Sequence, residues 1–493
     1  MLPHEEHFAR FRKNIIGWDA RIETPYGSKP LVYADWIASG RLYRPIEEQI
    51  VDVVGPVLGN THSESSDTGQ IMTNVYGLSH QIIKGHVNAG KNDVIITAGS
   101  GMTSVVNKLQ RILGMRVPEQ AQKYCSIPEA DRPVVFLTHM EHHSNHTSWL
   151  ETNADVVVLE PDENLLVDPR SLENEIQKYE DRPLKIGSFS AASNVTGIET
   201  PYYELAAIMH RHGGFCFVDF AASAPYVSIN MHPVDSSQAL DAVFFSPHKF
   251  LGGPGSCGVL VFNSELYHNT APDHSGGGTV NWTNRWGLYS YIADIELRED
   301  GGTPGFLQSI RAAMSIKLKE EMDCKKMRER ESAMLERIFS AFQAIPGLNI
   351  LAPGQQDRIG AISFYLSRAH FNLVVRLLND RYGIQVRGGC SCAGTYGHYL
   401  LHVDYFTSSH ITRKIDMGDL SEKPGWVRLS VHPVMSEDEI DYIISAVREV
   451  AAHAGEWARD YEYHPQRNEF EHKTAPARCM EDYLSWYDFS SRP

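Results

Sequence analysis

From about Asp93 to Gly258, short apolar runs alternate with longer stretches in which apolar residues recur at helical spacing. The runs DVIITAG, RPVVFLTH, ADVVVLE, LKIGSFS, GFCFVDF, DAVFFS and GVLVFN are rich in β-branched and aromatic residues and bounded by turn formers, which predicts strands. PYYELAAIMHRHG, lying between two of them, predicts a helix. Strands alternating with helices predict a mostly parallel sheet covered on both faces. In such sheets ligands collect at the carboxyl ends of the strands, so residues just past each run are the first candidates for chemistry.

Past Thr303 the pattern changes. SIRAAMSIKLKEEMDCKKMRERESAMLERIFSAFQAI has helical spacing and mixed charge and predicts one long linking helix. GAISFYL, YGIQVRGG and GWVRLSV then predict strands, with a helix at HFNLVVRLLNDR. The expected division is an N-terminal segment over 1–90 packing on the body, a large α/β domain over 91–319, a smaller α/β domain over 320–455 and an extension over 456–493. EWARDYEYHPQRNEFEH, in that extension, shows little periodicity and is expected to drape over the body or reach a partner subunit.

The length of 493 residues supports more than one unit, since a domain takes on the order of 150 residues. Hydrophobic residues at 42% and charged residues at 22% exclude wholesale disorder and a small disulfide scaffold. The net charge of −16 repels phosphate backbones and anionic lipid, so nucleic acid and membrane surfaces are not expected partners. The first residues lack a signal-peptide core and no window approaches ~18 apolar residues, which makes the cytoplasm the expected compartment. The seven cysteines are scattered, and reduced thiols are expected.

The most informative stretch is FFSPHKFLGGPGSCGVLVF, where Lys249 follows a predicted strand with Ser246 and His248 beside it. A lysine in a loop is ordinarily a solvated surface residue. Upstream, however, Asp219 ends the hydrophobic run GFCFVDF, and a carboxylate buried there needs a cationic partner. A lysine Schiff base to pyridoxal 5'-phosphate (PLP), with an aspartate holding the pyridine nitrogen protonated, meets both demands. TAGSGMTS at 97–104 adds a Gly-Ser-Gly turn after a strand, where backbone N–H groups at a helix start suit a phosphate. HMEHHSNH lacks the His-Glu-x-x-His spacing of a zinc helix, so no metal site is expected.

VDFAAS around Asp219, SPHK ending at Lys249, MEHHSN at 140–145, SNVTG at 193–197, GGTPG at 301–305 and RGGCSCAG at 387–394 together resemble the class V, fold-type I PLP enzymes. The likeness is strongest to the group II (SUF-type) cysteine desulfurases and selenocysteine lyases, and it runs from about Tyr33 to Val450. It implies the fold of a fold-type I PLP-dependent transferase and a homodimer that takes L-cysteine and passes sulfur to an enzyme cysteine and then to an acceptor protein. It further implies that Lys249 carries the cofactor and moves a proton, that Asp219 pairs with the ring nitrogen, and that His142 stacks on the ring. Asn194 is implied near the ring oxygen and the substrate carboxylate, and Ser100, Gly101, Ser246 and His248 around the phosphate. Thr303 resembles a threonine that reaches the phosphate from the neighbouring subunit. Cys392 falls on the nucleophile, Arg428 on the arginine that clamps the substrate carboxylate, and Arg387 is a second anion contact.

Two departures qualify the match. Where the desulfurases carry Asp-x-Ala-Gln, this chain has Asp219-Phe220-Ala221-Ala222, leaving Ser223 or a water to replace the glutamine. The stretch from Cys392 to Arg428 is longer than in the SUF-type enzymes. The alternatives within the fold are an aminotransferase, epimerase or lyase acting on another amino acid, or a relative of the molybdenum cofactor sulfurases, whose loop also carries Arg-x-Gly-Cys-x-Cys. A non-catalytic scaffold is the alternative outside it.

Overall fold

The computed structural model describes residues 2–475 and 479–490. Its centre is a seven-stranded sheet: β1 (Asp93–Ala98), β2 (Val134–Thr138), β3 (Asp155–Leu159), β4 (Lys185–Ser190), β5 (Phe215–Asp219), β6 (Ala242–Phe245) and β7 (Gly258–Asn263). The spatial order is β1-β7-β6-β5-β4-β2-β3, and only β7 runs against its neighbours. Each predicted run forms its strand. The reason is visible in β2, where Val134 and Phe136 enter the apolar cluster on one face while Val135 and Leu137 enter that on the other. Cys216 and Cys257 are buried within these clusters as small hydrophobes.

The carboxyl ends of β1, β2, β4, β5 and β6 share one edge of the sheet, and their loops form the site. α1 (Met102–Ile112) follows the turn after β1, α2 (His143–Leu150) follows β2, and α3 (Tyr202–Arg211) lies between β4 and β5. The single linking helix expected past Thr303 is two helices, α4 (Phe306–Met322) and α5 (Cys324–Gln343). Asp323 separates them with φ of +65°, and its side chain accepts hydrogen bonds from the N–H groups of Lys325 and Lys326. A capping carboxylate in a non-helical conformation ends one helix and starts the next, a local signal that the charge-rich periodicity masked.

Beyond α5 a four-stranded antiparallel sheet follows in the spatial order β8 (Leu348–Ile350), β9 (Ala361–Leu366), β11 (Trp426–Ser430) and β10 (Arg387–Gly389). α6 (Phe371–Tyr382) packs on it, and the stretch between β10 and β11 holds α7 (Gly394–Leu400) and α8 (Tyr405–Asp416). The N-terminal segment is sewn to this unit: Val32–Tyr33 pairs in parallel with Ile384–Gln385, and Asp35 bridges to Ser430. Gly40 also reaches the central sheet, donating its N–H to His248 O, and a Cβ there would sit 1.8 Å from Phe250 O. The extension forms a hairpin, Tyr461–His464 against Glu469–His472, anchored by Tyr461 on Asp380 of α6. Among the described residues no helix is long and apolar enough to cross a membrane.

Candidate active site

One cavity of about 270 Å³ opens at the carboxyl edge of the central sheet. It is lined by every candidate residue except Thr303: Lys249, Asp219, His142, Asn194, Ser100, Gly101, Ser246, His248, Cys392, Arg428 and Arg387. Lys249 ends a single 3-10 turn, Pro247–Lys249, directly after β6, and Asp219 is the buried last residue of the adjacent β5. Burial pushes the Lys249 amine below the usual lysine range, and Asp219 resists that shift while Arg428 and Arg387 add to it. Burial raises Asp219 above the usual carboxylate range, opposed by the Ala221 N–H, which donates to Oδ1 at 2.7 Å, and by Lys249. Each group is therefore the other's counter-charge in a site too dry to leave either alone.

The start of α1 has no side-chain cap of its own. Ser246, at the end of β6, accepts from Met102 N–H at 2.8 Å and supplies the missing cap from far along the chain. His248 Nδ1 lies 2.9 Å from Ser100 O, so the lysine loop and the Gly-Ser-Gly turn are fastened together. A Cβ on Gly101 would come within 3.0 Å of His248 Cε1 and 3.1 Å of Ser246 Oγ, so only glycine leaves this corner open.

His142 caps α2, its Nδ1 accepting from Ser144 N–H at 3.1 Å. That bond puts the proton of the neutral ring on Nε2. Burial, with Lys249, His143 and Arg428 nearby, pushes the His142 pKa down to about 3, so the ring is uncharged at neutral pH. Asn194 donates to Ser391 O at 2.7 Å, while its Oδ1 is buried with no partner among the described residues. Ser391 and Cys392 both have positive φ, 53° and 56°, in a turn closed by Ala393 N–H on Cys390 O. Non-glycine residues pay for such backbone geometry, and here it is held from outside. His143 N–H donates to Cys392 O at 2.7 Å, and His143 Nε2 accepts from Gly394 N–H at 3.0 Å. The turn leaves the Cys392 thiol exposed, whereas Cys390 packs toward the cluster around Trp426.

Arg428 is buried, donating to Asp35 Oδ1 at 2.7 Å and to Asn194 O at 3.2 Å, with Nε unpartnered among the described residues. Arg387 donates to the other oxygen of Asp35 at 3.0 Å. Sequence reasoning missed Asp35, whose only signal is an acid just after the VYA run, far from either arginine. It also missed Glu141, a buried acid that accepts from Thr138 Oγ1, Ser190 N, Ser190 Oγ and Asn145 Nδ2. Ser190 sits directly across from Asp219 in the β4/β5 ladder, so Glu141, bonded to Ser190, is close enough to Asp219 to raise its pKa. At the place of the absent glutamine Ala222 lines the wall, while Ser223 is not among the lining residues and its hydroxyl is buried with no partner among the described residues. Thr303 is exposed in the loop before α4, outside this cavity.

Residues 32–443 match the family model described as Aminotransferase class-V. A "Probable cysteine desulfurase" of Staphylococcus epidermidis is 28% identical over 378 residues, 76% of this chain and 85% of that protein. Another of that name, from Halalkalibacterium halodurans, is 27% identical over 76% of this chain and 86% of its own length. Among solved structures, the cysteine desulfurase of Thermococcus onnurineus superposes with a TM-score of 0.72 at 20% identity, covering 92% of this chain and 98% of that one. A cysteine desulfurase of Escherichia coli gives 0.70 at 22%, covering 91% and 98%. At those identities the structural likeness is one of fold, and it bears out the expected fold-type I α/β architecture. With a match that spans most of its length, the chain belongs to the class-V aminotransferase family of enzymes.

Proposed function

We propose that the chain is a PLP-dependent cysteine desulfurase, converting L-cysteine to L-alanine with the sulfur received by Cys392. The observation that carries this reading is the exposed thiol of Cys392, held on a strained turn in the wall of the cavity that also contains Lys249 and Asp219. The names of the relatives support it.

The residues present fit PLP. Asp219 suits a protonated ring nitrogen, the unpartnered Oδ1 of Asn194 awaits a donor, and the open corner at Gly101 with the Ser246 hydroxyl and the start of α1 suits a phosphate. When bound, PLP supplies an electron sink for negative charge developing on the substrate carbon. Lys249, whose affinity for protons burial lowers, would serve as the base at that carbon. Neutral His142, in the cavity wall, would lie against the ring without adding charge, and Arg428 would hold the substrate carboxylate. The Cys392 sulfur attacks the substrate sulfur. As the S–S bond forms, the substrate Cβ–S bond breaks with its electron pair left on Cβ, which takes up a proton to give alanine. The persulfide on Cys392 is the form from which an acceptor protein draws.

Ala222 in the cavity wall favours a second reading, another class-V reaction on an amino acid in which Cys392 takes no part. Alanine formation from L-cysteine by PLP-loaded protein with a thiol reductant separates the two. The expected outcome is alanine from wild type and loss of at least about 100-fold in Cys392→Ala with cofactor still bound, the scale of removing a nucleophile. Alanine made equally well by the variant would remove Cys392 from the mechanism.

A further inference from the structure

Ser391 and Cys392 occupy a turn with φ of 53° and 56°, left-handed geometry that neither residue type prefers, so something outside the turn must hold it. The next element adds a second demand. α7 begins at Gly394, and the residue before it, Ala393, has no side-chain acceptor for the unpaired N–H groups of a helix start. His143 meets both demands. Its backbone N–H donates to Cys392 O at 2.7 Å and its Nε2 accepts from Gly394 N–H at 3.0 Å, so one residue grips the turn on either side of Ala393. An accepting Nε2 places the proton of the neutral ring on Nδ1, and burial together with Lys423 lowers the ring's affinity for a second proton. Asn194 holds the preceding carbonyl, Ser391 O, at 2.7 Å, and His146, one turn further along α2, has its Nδ1 3.3 Å from Thr395 Oγ1. His143 is not among the residues lining the cavity, whereas its neighbour His142 and Cys392 both are. A single peptide link therefore joins the histidine of the cavity wall to the clamp on the thiol-bearing turn.

We propose that His143 is the positioning residue for the nucleophile: by accepting the Gly394 N–H while donating to Cys392 O, it holds the turn in the left-handed conformation that presents the Cys392 thiol to the cavity. It stands outside the cavity wall and acts through the backbone of the turn. With the side-chain acceptor removed, the Gly394 N–H loses its partner and the turn relaxes toward the conformations its residues prefer, which moves the thiol off the line of attack. The proposal rests on the reading of Cys392 as the group that receives the substrate sulfur.

The test compares PLP-loaded wild type with His143→Ala, His143→Asn and His143→Gln. Glutamine carries an acceptor oxygen about as far from the backbone as Nε2, and asparagine falls short of it. In His143→Ala and His143→Asn, kcat for alanine formation from L-cysteine is expected to fall by about tenfold or more, the scale of a misplaced reacting group. The change in cofactor absorbance on titration with L-alanine, which needs no thiol, is expected to keep its wild-type midpoint, and His143→Gln to recover most of the rate. Backbone hydrogen exchange over residues 390–396, read by mass spectrometry, is expected to quicken by about tenfold in the first two variants and not in the third. A merely structural role lowers rate and L-alanine affinity together and does not separate glutamine from asparagine. Unchanged exchange in His143→Ala overturns the clamp, and alanine formed by that variant at the wild-type rate overturns its bearing on Cys392. A wild type that makes no alanine from L-cysteine is the failure of the desulfurase reading instead, and the exchange comparison then decides the clamp alone.

Discussion

Glu331 shows how a single buried residue writes itself into the pH dependence of the whole chain. It sits on α5, fully buried, with Gly360 N–H on Oε1 at 2.8 Å, and burial pushes its pKa up to about 8 despite Arg328 nearby. Unfolded, the same carboxyl ionises near the ordinary glutamate value. Between those two values the folded protein holds a proton that the unfolded chain has lost, so stability falls as pH rises through that window. Glu331→Gln keeps the acceptor for Gly360 and removes the titration. Its stability relative to wild type is expected to climb by about 3 kcal/mol from roughly pH 5 to pH 7.5, as read by denaturant unfolding. A difference independent of pH would place the proton elsewhere. At the same scale, Cys392 shows a residue type whose role depends on backbone: Cys216 and Cys257 are inert core, while positive φ and two outside hydrogen bonds put Cys392 at the surface of the site.

Among elements, α1 matters most, because its N-terminus is capped by Ser246 rather than by its own Gly101. One hydroxyl thereby ties the end of β6 to the start of a helix that comes 144 residues earlier in the chain. Removing it leaves a helix N–H without a partner and loosens the corner that suits a phosphate. Ser246→Ala is expected to raise the PLP dissociation constant by about tenfold, measured by equilibrium dialysis, since one hydrogen bond to a charged group contributes about 1.5 kcal/mol. An unchanged constant would mean the phosphate is held elsewhere. Antiparallel β10 and β11 act similarly as a pair, since their register brings two arginines together where neither strand alone suggests a clamp.

For the whole molecule, the position of Thr303 has the widest consequence. It is exposed and lies outside the cavity of its own chain, so a role at the cofactor phosphate requires a second copy. The protein is expected to sediment as a homodimer whose PLP affinity falls on dilution below the dimer dissociation constant. Thr303→Ala is expected to weaken PLP binding without breaking the dimer. A monomer with full affinity would overturn that arrangement.

Much of this is legible in the sequence. Strand runs, the alternation with helices, and Lys249 and Asp219 at strand ends are local: each depends on side-chain size, backbone sterics and burial within a few neighbours. The residue types for PLP chemistry were therefore readable in order along the chain. What the tertiary structure alone decided is which of them meet. Asp35 lies 393 residues from Arg428 and 352 from Arg387, and no periodicity encodes that encounter. The break at Asp323, the burial of the Ser223 hydroxyl and the nearness of Glu141 to Asp219 are of the same kind. Sequence specifies each segment's preference through short-range forces. Charge pairing across the site follows only when burial of the two sheets brings distant segments together and desolvation makes each unpaired charge too costly to keep.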